Sequence, residues 1–256
     1  MKRLLIFLAL SILFAAGAVG FALNRQYSLQ NVVYPTSTPY PTVVPSPTAS
    51  PAASSSPAAT ATPAASPASL QPTASIDVPY TLQAPFNVWD ALHEETCEEA
   101  SLVMVKHYLD GTPLGTPAQV DQELKDMVSW ETDHGYGTSI TLQQLNQIAI
   151  DYYGLKTGHV VSVSSYLDLK KELAAGHPII TGMAGKLLPN PYFSNGGPNY
   201  HMLVVKGYDA TGFLTNEPGT YRGNGYHYDY GIFFTALHDW NAQNILQGAK
   251  EYLVFK

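Results

Sequence analysis

The chain has 256 residues, of which 45% are hydrophobic and only 13% charged, and it carries a formal net charge of −7. All twenty acidic residues but only ten of the thirteen basic ones lie after position 75, so the part able to bury a core is strongly acidic. That balance argues against a nucleic-acid surface, which needs a basic face to meet phosphates. Solubility accounts for it, with a bias toward cationic or neutral substrates as the functional alternative.

Lys2 and Arg3 precede an apolar run through Leu23. At about twenty residues the run is long enough to cross a bilayer core of roughly 30 Å as a helix. Residues 1–24 are therefore expected to be a transmembrane signal anchor, with the amino terminus inside and the bulk outside. A cleaved signal peptide is the alternative, with Ala16-Gly17-Ala18 and Gly20-Phe21-Ala22 as cleavage contexts. Either way the protein is expected outside the cytoplasm, held at the cell membrane or secreted. Residues 25–75, rich in Pro, Ser, Thr and Ala from Tyr34 onward, cannot bury a core and read as a semi-rigid spacer. Residues 76–256 are long enough for a single good core.

Helical signals dominate the first half of that domain. Thr96 followed by Glu99 reads as a capping box opening a helix at Cys97. From Cys97 to Leu109 the apolar residues fall on more than one stripe, as in a helix buried on several sides. Thr116-Pro117 supplies a cap and a first-turn proline, with Val120, Leu124 and Met127 following on one face. Thr141 with Gln144 predicts a further capping box, and Gly154 the end of that helix. A fourth helix is expected from Ser165 to Gly176.

The second half turns to short segments rich in β-branched or aromatic residues: 160–163, 179–183, 202–208, 213–216, 226–230 and 252–255. Asp209-Ala210-Thr211-Gly212 joins two of them as a hairpin. Helices first and antiparallel strands later predict an α+β domain. There is no dinucleotide fingerprint, phosphate loop, paired-cysteine metal site or His-Glu-x-x-His motif, so neither cofactor nor metal is expected.

Cys97 is the only cysteine. At the first position of a helix, the unpaired amides and the dipole favour thiolate over thiol, and the thiolate is the nucleophile. A small core residue is the alternative. A nucleophilic thiolate needs a base, a partner to orient that base, and donors for an oxyanion. Among eight histidines, His201 stands out, because it begins a strand directly after the flexible Gly196-Gly197-Pro198-Asn199-Tyr200 segment. The next strand ends in Asn216-Glu217-Pro218-Gly219, and hairpin pairing would bring Asn216 or Glu217 back beside the imidazole.

The pattern Val78 to Phe86, then Trp89-Asp90, then Glu95-Thr96-Cys97-Glu98-Glu99-Ala100-Ser101 resembles the start of a papain-fold peptidase. His201 to Tyr208, Gly212-Phe213 and Asn216-Glu217-Pro218-Gly219 resemble its second half. The closest likeness is to the double-glycine-leader (bacteriocin-processing) cysteine peptidases, family thirty-nine of the papain-like clan, and to their exported relatives. The resemblance implies a nucleophilic Cys97, a general base in His201 and an oxyanion donor in Gln83 beside the Cys97 amide. The family has aspartate immediately before the proline where this chain has Glu217, while Asn216 matches the asparagine that orients histidine in papain. Neighbouring strand residues face opposite ways, so only one of the two serves unless the chain bends there, and motif position favours Glu217.

His93 is a second candidate base. Glu94, Glu95, Glu98 and Glu99 read as a negative rim or as dipole partners of the helix. Tyr226, Tyr228 and Tyr230 are expected on one strand face, lining a groove or packing. The stretch Gly185 to Tyr200 is a candidate gating loop or a plain connector. The function these features imply is a thiol peptidase anchored outside the cytoplasm and acting on a peptide or peptide-like substrate. A peptidoglycan amidase or endopeptidase and a non-catalytic binding module on the same fold are the alternatives.

Overall fold

Local chemistry sets most helix starts. The helix Pro117–Asp133 (α2) is entered through Thr116, whose hydroxyl accepts the Gln119 N–H while the Gln119 side chain accepts the Thr116 N–H. The same reciprocal pair, Thr141 with Gln144, opens Leu142–Tyr153 (α3), which ends on Gly154 at φ 73°. Ser165 and Asp168 do likewise for Tyr166–Ala174 (α4). Each such cap contributes about 1 kcal/mol. The Thr116 cap with its first-turn proline and the Thr141–Gln144 box match the sequence expectation, and the reciprocal Gln119 bond adds to the first. The computed structural model describes residues 70–256, and the expected anchor at 1–24 lies outside the described residues.

The strands are Ala74–Ser75 (β1), Gly158–Ser162 (β2), Ile179–Met183 (β3), His201–Tyr208 (β4), Gly212–Asn216 (β5), Asn224–Asp229 (β6) and Glu251–Phe255 (β7). They form one antiparallel sheet in the order β2-β7-β3-β4-β5-β6. The β4–β5 register slips between Val205 and Gly207, leaving Lys206 as a bulged residue. Its carbonyl accepts the Ile76 N–H at 2.8 Å, and β1 pairs with β4 just beyond, Ser75 opposite Gly207.

Both faces of the sheet are covered, so β3 and β4 are buried nearly throughout. Ile180, Met202, Val204, Leu253 and Phe255 point to a core shared with α2, α3 and the helix Cys97–Leu109 (α1). The alternate residues Ile179, Met183, Leu203, Val205 and Val254 pack against α4 and the helix Tyr230–Ala236 (α5). Residues Cys97 to Val105 of α1 are all buried, as the several-sided apolar pattern implied. The result is an α+β fold, with an amino-terminal helical part packed on a carboxy-terminal antiparallel sheet.

Two expectations need correction. Tyr230 does not continue the strand of Tyr226 and Tyr228 but opens α5. Asp229 pairs with Gly212, the first residue of β5, so no partner strand extends past it. The location outside the cytoplasm at a membrane is also withdrawn: among the described residues, no helix is long and apolar enough to cross a membrane.

Candidate active site

Cys97 is the first residue of α1, but the expected capping box is absent. The Thr96 hydroxyl donates to the Gln83 carbonyl at 3.1 Å instead of accepting a helix amide, and Glu99 is buried rather than reaching back to Thr96. The first-turn amides of α1 thus receive no cap from Thr96, and the loop bearing Gln83 is tied to the residue just before the cysteine. The Gln83 side chain donates to the His93 carbonyl at 2.8 Å. An amide NH2 has two protons, so one remains for another acceptor.

Cys97 is 6% exposed. Its Sγ accepts the Met202 N–H at 3.3 Å, which brings it beside the residue next to His201. The thiol proton is directed to Glu98 Oε2 at 2.8 Å, and no hydrogen bond joins Sγ to the His201 ring. Burial first, and then the Glu98 carboxylate, push the thiol well above its ordinary pKa, while the Met202 amide pulls the other way. The resting sulfur is therefore a thiol, which corrects the expectation of a helix-favoured thiolate. Desolvation outweighs the helix terminus because the whole first turn of α1 is inside the protein.

His201, at the start of β4, is 2% exposed. Its Nε2 is hydrogen-bonded to Glu217 Oε1. Glu217 follows β5 directly, and Oε1 also accepts the Gly219 N–H at 3.0 Å, while Oε2 accepts the Tyr228 hydroxyl at 3.0 Å. Asn190 Nδ2 donates to that same hydroxyl at 3.0 Å. Phe193 and the imidazole meet in a T-shaped contact with ring centres 5.5 Å apart. With Nε2 engaged, Nδ1 is the nitrogen left for a proton exchanged with sulfur.

Of the two candidate orienters, Glu217 is the one on the ring. Asn216 sits opposite Val204 in the ladder, and its amide donates to the Val78 and Pro79 carbonyls at 2.9 and 3.0 Å. His93 is turned away from the thiol: both ring nitrogens are 2.8 Å from carboxylates, Nδ1 on Asp90 and Nε2 on Asp121. A cavity of about 290 Å3 lies along this loop, with Ala84, Phe86 and Val88 on its apolar side and Asp90, His93 and Lys125 on its polar side. Among the described residues, no group of three or more His, Cys, Asp or Glu side chains is placed to hold a metal ion.

Glu98, Asn190 and Tyr228 are the site residues that sequence reasoning did not assign. Glu98 and Glu99 are 2% and 4% exposed, so they are neither a surface rim nor solvated dipole partners. The signal was present, since a helix apolar on several sides leaves no exposed face for the acids that follow its first residue. Asn190 and Phe193 place the 185–200 stretch against the imidazole and its carboxylate.

The family model described as "Peptidase_C39 like family" matches residues 75–245. No curated protein matches the chain. Among solved structures, that of a C39-like protein from Bacillus anthracis is similar, with 17% identity and a TM-score of 0.47 over 72% of this chain and 97% of that one.

Proposed function

Because the chain belongs to the Peptidase C39-like family, we propose that it is a cysteine peptidase cleaving an amide bond in a peptide or peptide-like substrate. The supporting observation is the His201–Glu217 hydrogen bond, which commits Nε2 to a carboxylate and leaves Nδ1 for the thiol proton. In the proposed cycle Cys97 Sγ, its proton passed to His201 Nδ1, forms a bond to the substrate carbonyl carbon. The carbonyl electron pair moves onto oxygen, where the Cys97 N–H and the second Gln83 amide proton donate. One such donor lowers the barrier by about 3 kcal/mol.

The tetrahedral species then collapses: the C–N bond breaks and the leaving amine takes the proton from Nδ1. Water, deprotonated by the same nitrogen, releases the acid and returns the sulfur to its starting form. Glu217 holds the ring and compensates the imidazolium formed midway. The cavity lined by Ala84, Phe86, Val88 and His93, on the segment that follows Gln83, would offer a recess for a substrate side chain.

A binding protein that keeps the fold without turnover is the second reading, and one observation favours it: the thiol is turned to Glu98 rather than to His201. Incubating the full chain with a mixed peptide library, read by mass spectrometry, separates the two. Cleavage products that disappear with Cys97→Ala and His201→Ala are expected. Absence of cleavage by the unaltered chain, or equal cleavage by Cys97→Ala, would overturn the peptidase reading.

A further inference from the structure

Glu98 occupies an unusual position. It directly follows the sole cysteine, is 2% exposed and holds the thiol proton at 2.8 Å. A carboxylate so placed opposes ionisation of the sulfur, because two anions would share a buried space. It also turns the proton away from the imidazole that the proposed reaction needs. We propose that Glu98 is a positioning residue that keeps the Cys97 proton on sulfur at rest, and that protonation of its carboxyl hands that proton to His201. This inference rests on the reading of Cys97 as nucleophile.

The steps balance as follows. A solvent proton bonds to a Glu98 carboxylate oxygen, and the S–H bond breaks with its electron pair kept on sulfur. The released proton bonds to His201 Nδ1. The new Glu98 O–H then donates to the thiolate, alongside the Met202 N–H, and the carboxyl changes from acceptor to donor without leaving its place. The competent site thus carries one proton more than the resting one.

The surroundings set where this happens. Burial pushes the Glu98 carboxyl up to about 7, with the Cys97 hydrogen bond and, once it has taken a proton, His201 opposing, and Glu131 of α2 reinforcing. Glu99 faces the same region from α1, and Tyr200, preceding β4, lies within electrostatic reach of both Glu98 and Cys97. The Tyr200 hydroxyl itself donates to Asp239 at 3.0 Å. The changeover therefore falls near neutrality.

Iodoacetamide alkylation of the full chain across pH 5–9 tests this independently of any peptide substrate, so its failure is distinct from failure of the peptidase assignment. Glu98→Gln keeps the shape and removes the charge. At pH 7.5 it should alkylate about tenfold faster, the change produced by a one-unit fall in thiol pKa. Should that variant not fold, infrared spectroscopy of the unaltered chain decides. Its single cysteine makes any S–H stretching band that of Cys97. The band should be present at pH 8 and weaken as pH falls through about 7, the reverse of an ordinary thiol. Unchanged or slower alkylation in a folded Glu98→Gln variant, or an S–H band that is absent at pH 8 or constant across the range, would overturn the proposal.

Discussion

His201 and Glu217 are hydrogen-bonded, Nε2 to Oε1, although they lie sixteen positions apart, His201 opening β4 and Glu217 directly following β5. The carboxylate is itself held from three sides, by the ring, the Gly219 amide and the Tyr228 hydroxyl. Replacing Glu217 with alanine should lower kcat for peptide cleavage by about a hundredfold or more with little change in KM, as expected of a group acting through the imidazole. Asn216→Ala should behave differently, since its amide serves the Val78 and Pro79 carbonyls. It should cost about 1 to 3 kcal/mol of stability in denaturant melts while sparing kcat in the folded fraction.

Tyr228→Phe removes a hydroxyl that donates to Glu217 and accepts from Asn190. Glu217 keeps its other two partners, so the loss should be smaller, about tenfold in kcat, with KM unaffected. Steady-state kinetics on a peptide found by the library screen provides the check. A KM effect larger than the kcat effect would point to substrate contact instead.

A methyl group at Gly219 would lie 3.0 Å from Phe193 Cε1, 3.1 Å from His201 Cε1 and 3.2 Å from Glu217 Oε1. Gly219→Ala should therefore tilt the imidazole and reduce activity while leaving thermal stability nearly unchanged. A methyl at Gly223 would come within 1.8 Å of the Glu217 carbonyl oxygen, which forces the backbone apart. Gly223→Ala should show a clear fall in melting temperature, and comparing the two variants separates site crowding from damage to the fold.

Glu99 and Glu131 form a buried carboxyl pair whose members lie on α1 and α2. Burial, with each other's charge added for Glu99, raises both above the ordinary carboxyl range. The folded state then binds more protons than the unfolded chain from about pH 4 upward, so this contribution is full in acid and is lost as pH rises through the raised values. Melting temperature should fall between pH 5 and pH 8. Glu99→Gln should flatten that dependence and raise the pH 8 value by about 2 to 4 °C if the relief is on the order of 1 kcal/mol.

The sequence carried the helices and strands because their signals are local. Thr116, Thr141 and Ser165 each have a partner three residues on, and β3 opens on the β-branched pair Ile179-Ile180 directly after Gly176-His177-Pro178. The hairpin made the approach of His201 to the end of β5 legible, since a short turn fixes register. The choice of Glu217 over Asn216 rested on motif position alone, because its physical cause, the chain leaving the ladder after β5 with Glu217 N–H bonded to Gly223 instead of to β4, is not written in local sequence. Asn190 and Tyr228 were hidden for a related reason. Their partners are distant in sequence, and polarity alone suggested a surface. The burial of Glu98, by contrast, was signalled by the several-sided apolar pattern of its helix.

The Met202 amide donates to Cys97 Sγ, so the reactive atom is also the acceptor for one backbone position of the central strand. Any new bond at that sulfur withdraws electron density from this amide, and the fold thereby contains its own reporter of chemistry at the cysteine. The nitrogen and proton resonances of Met202 should move when an electrophile is captured, giving a label-free signal for screening ligands before a substrate is known.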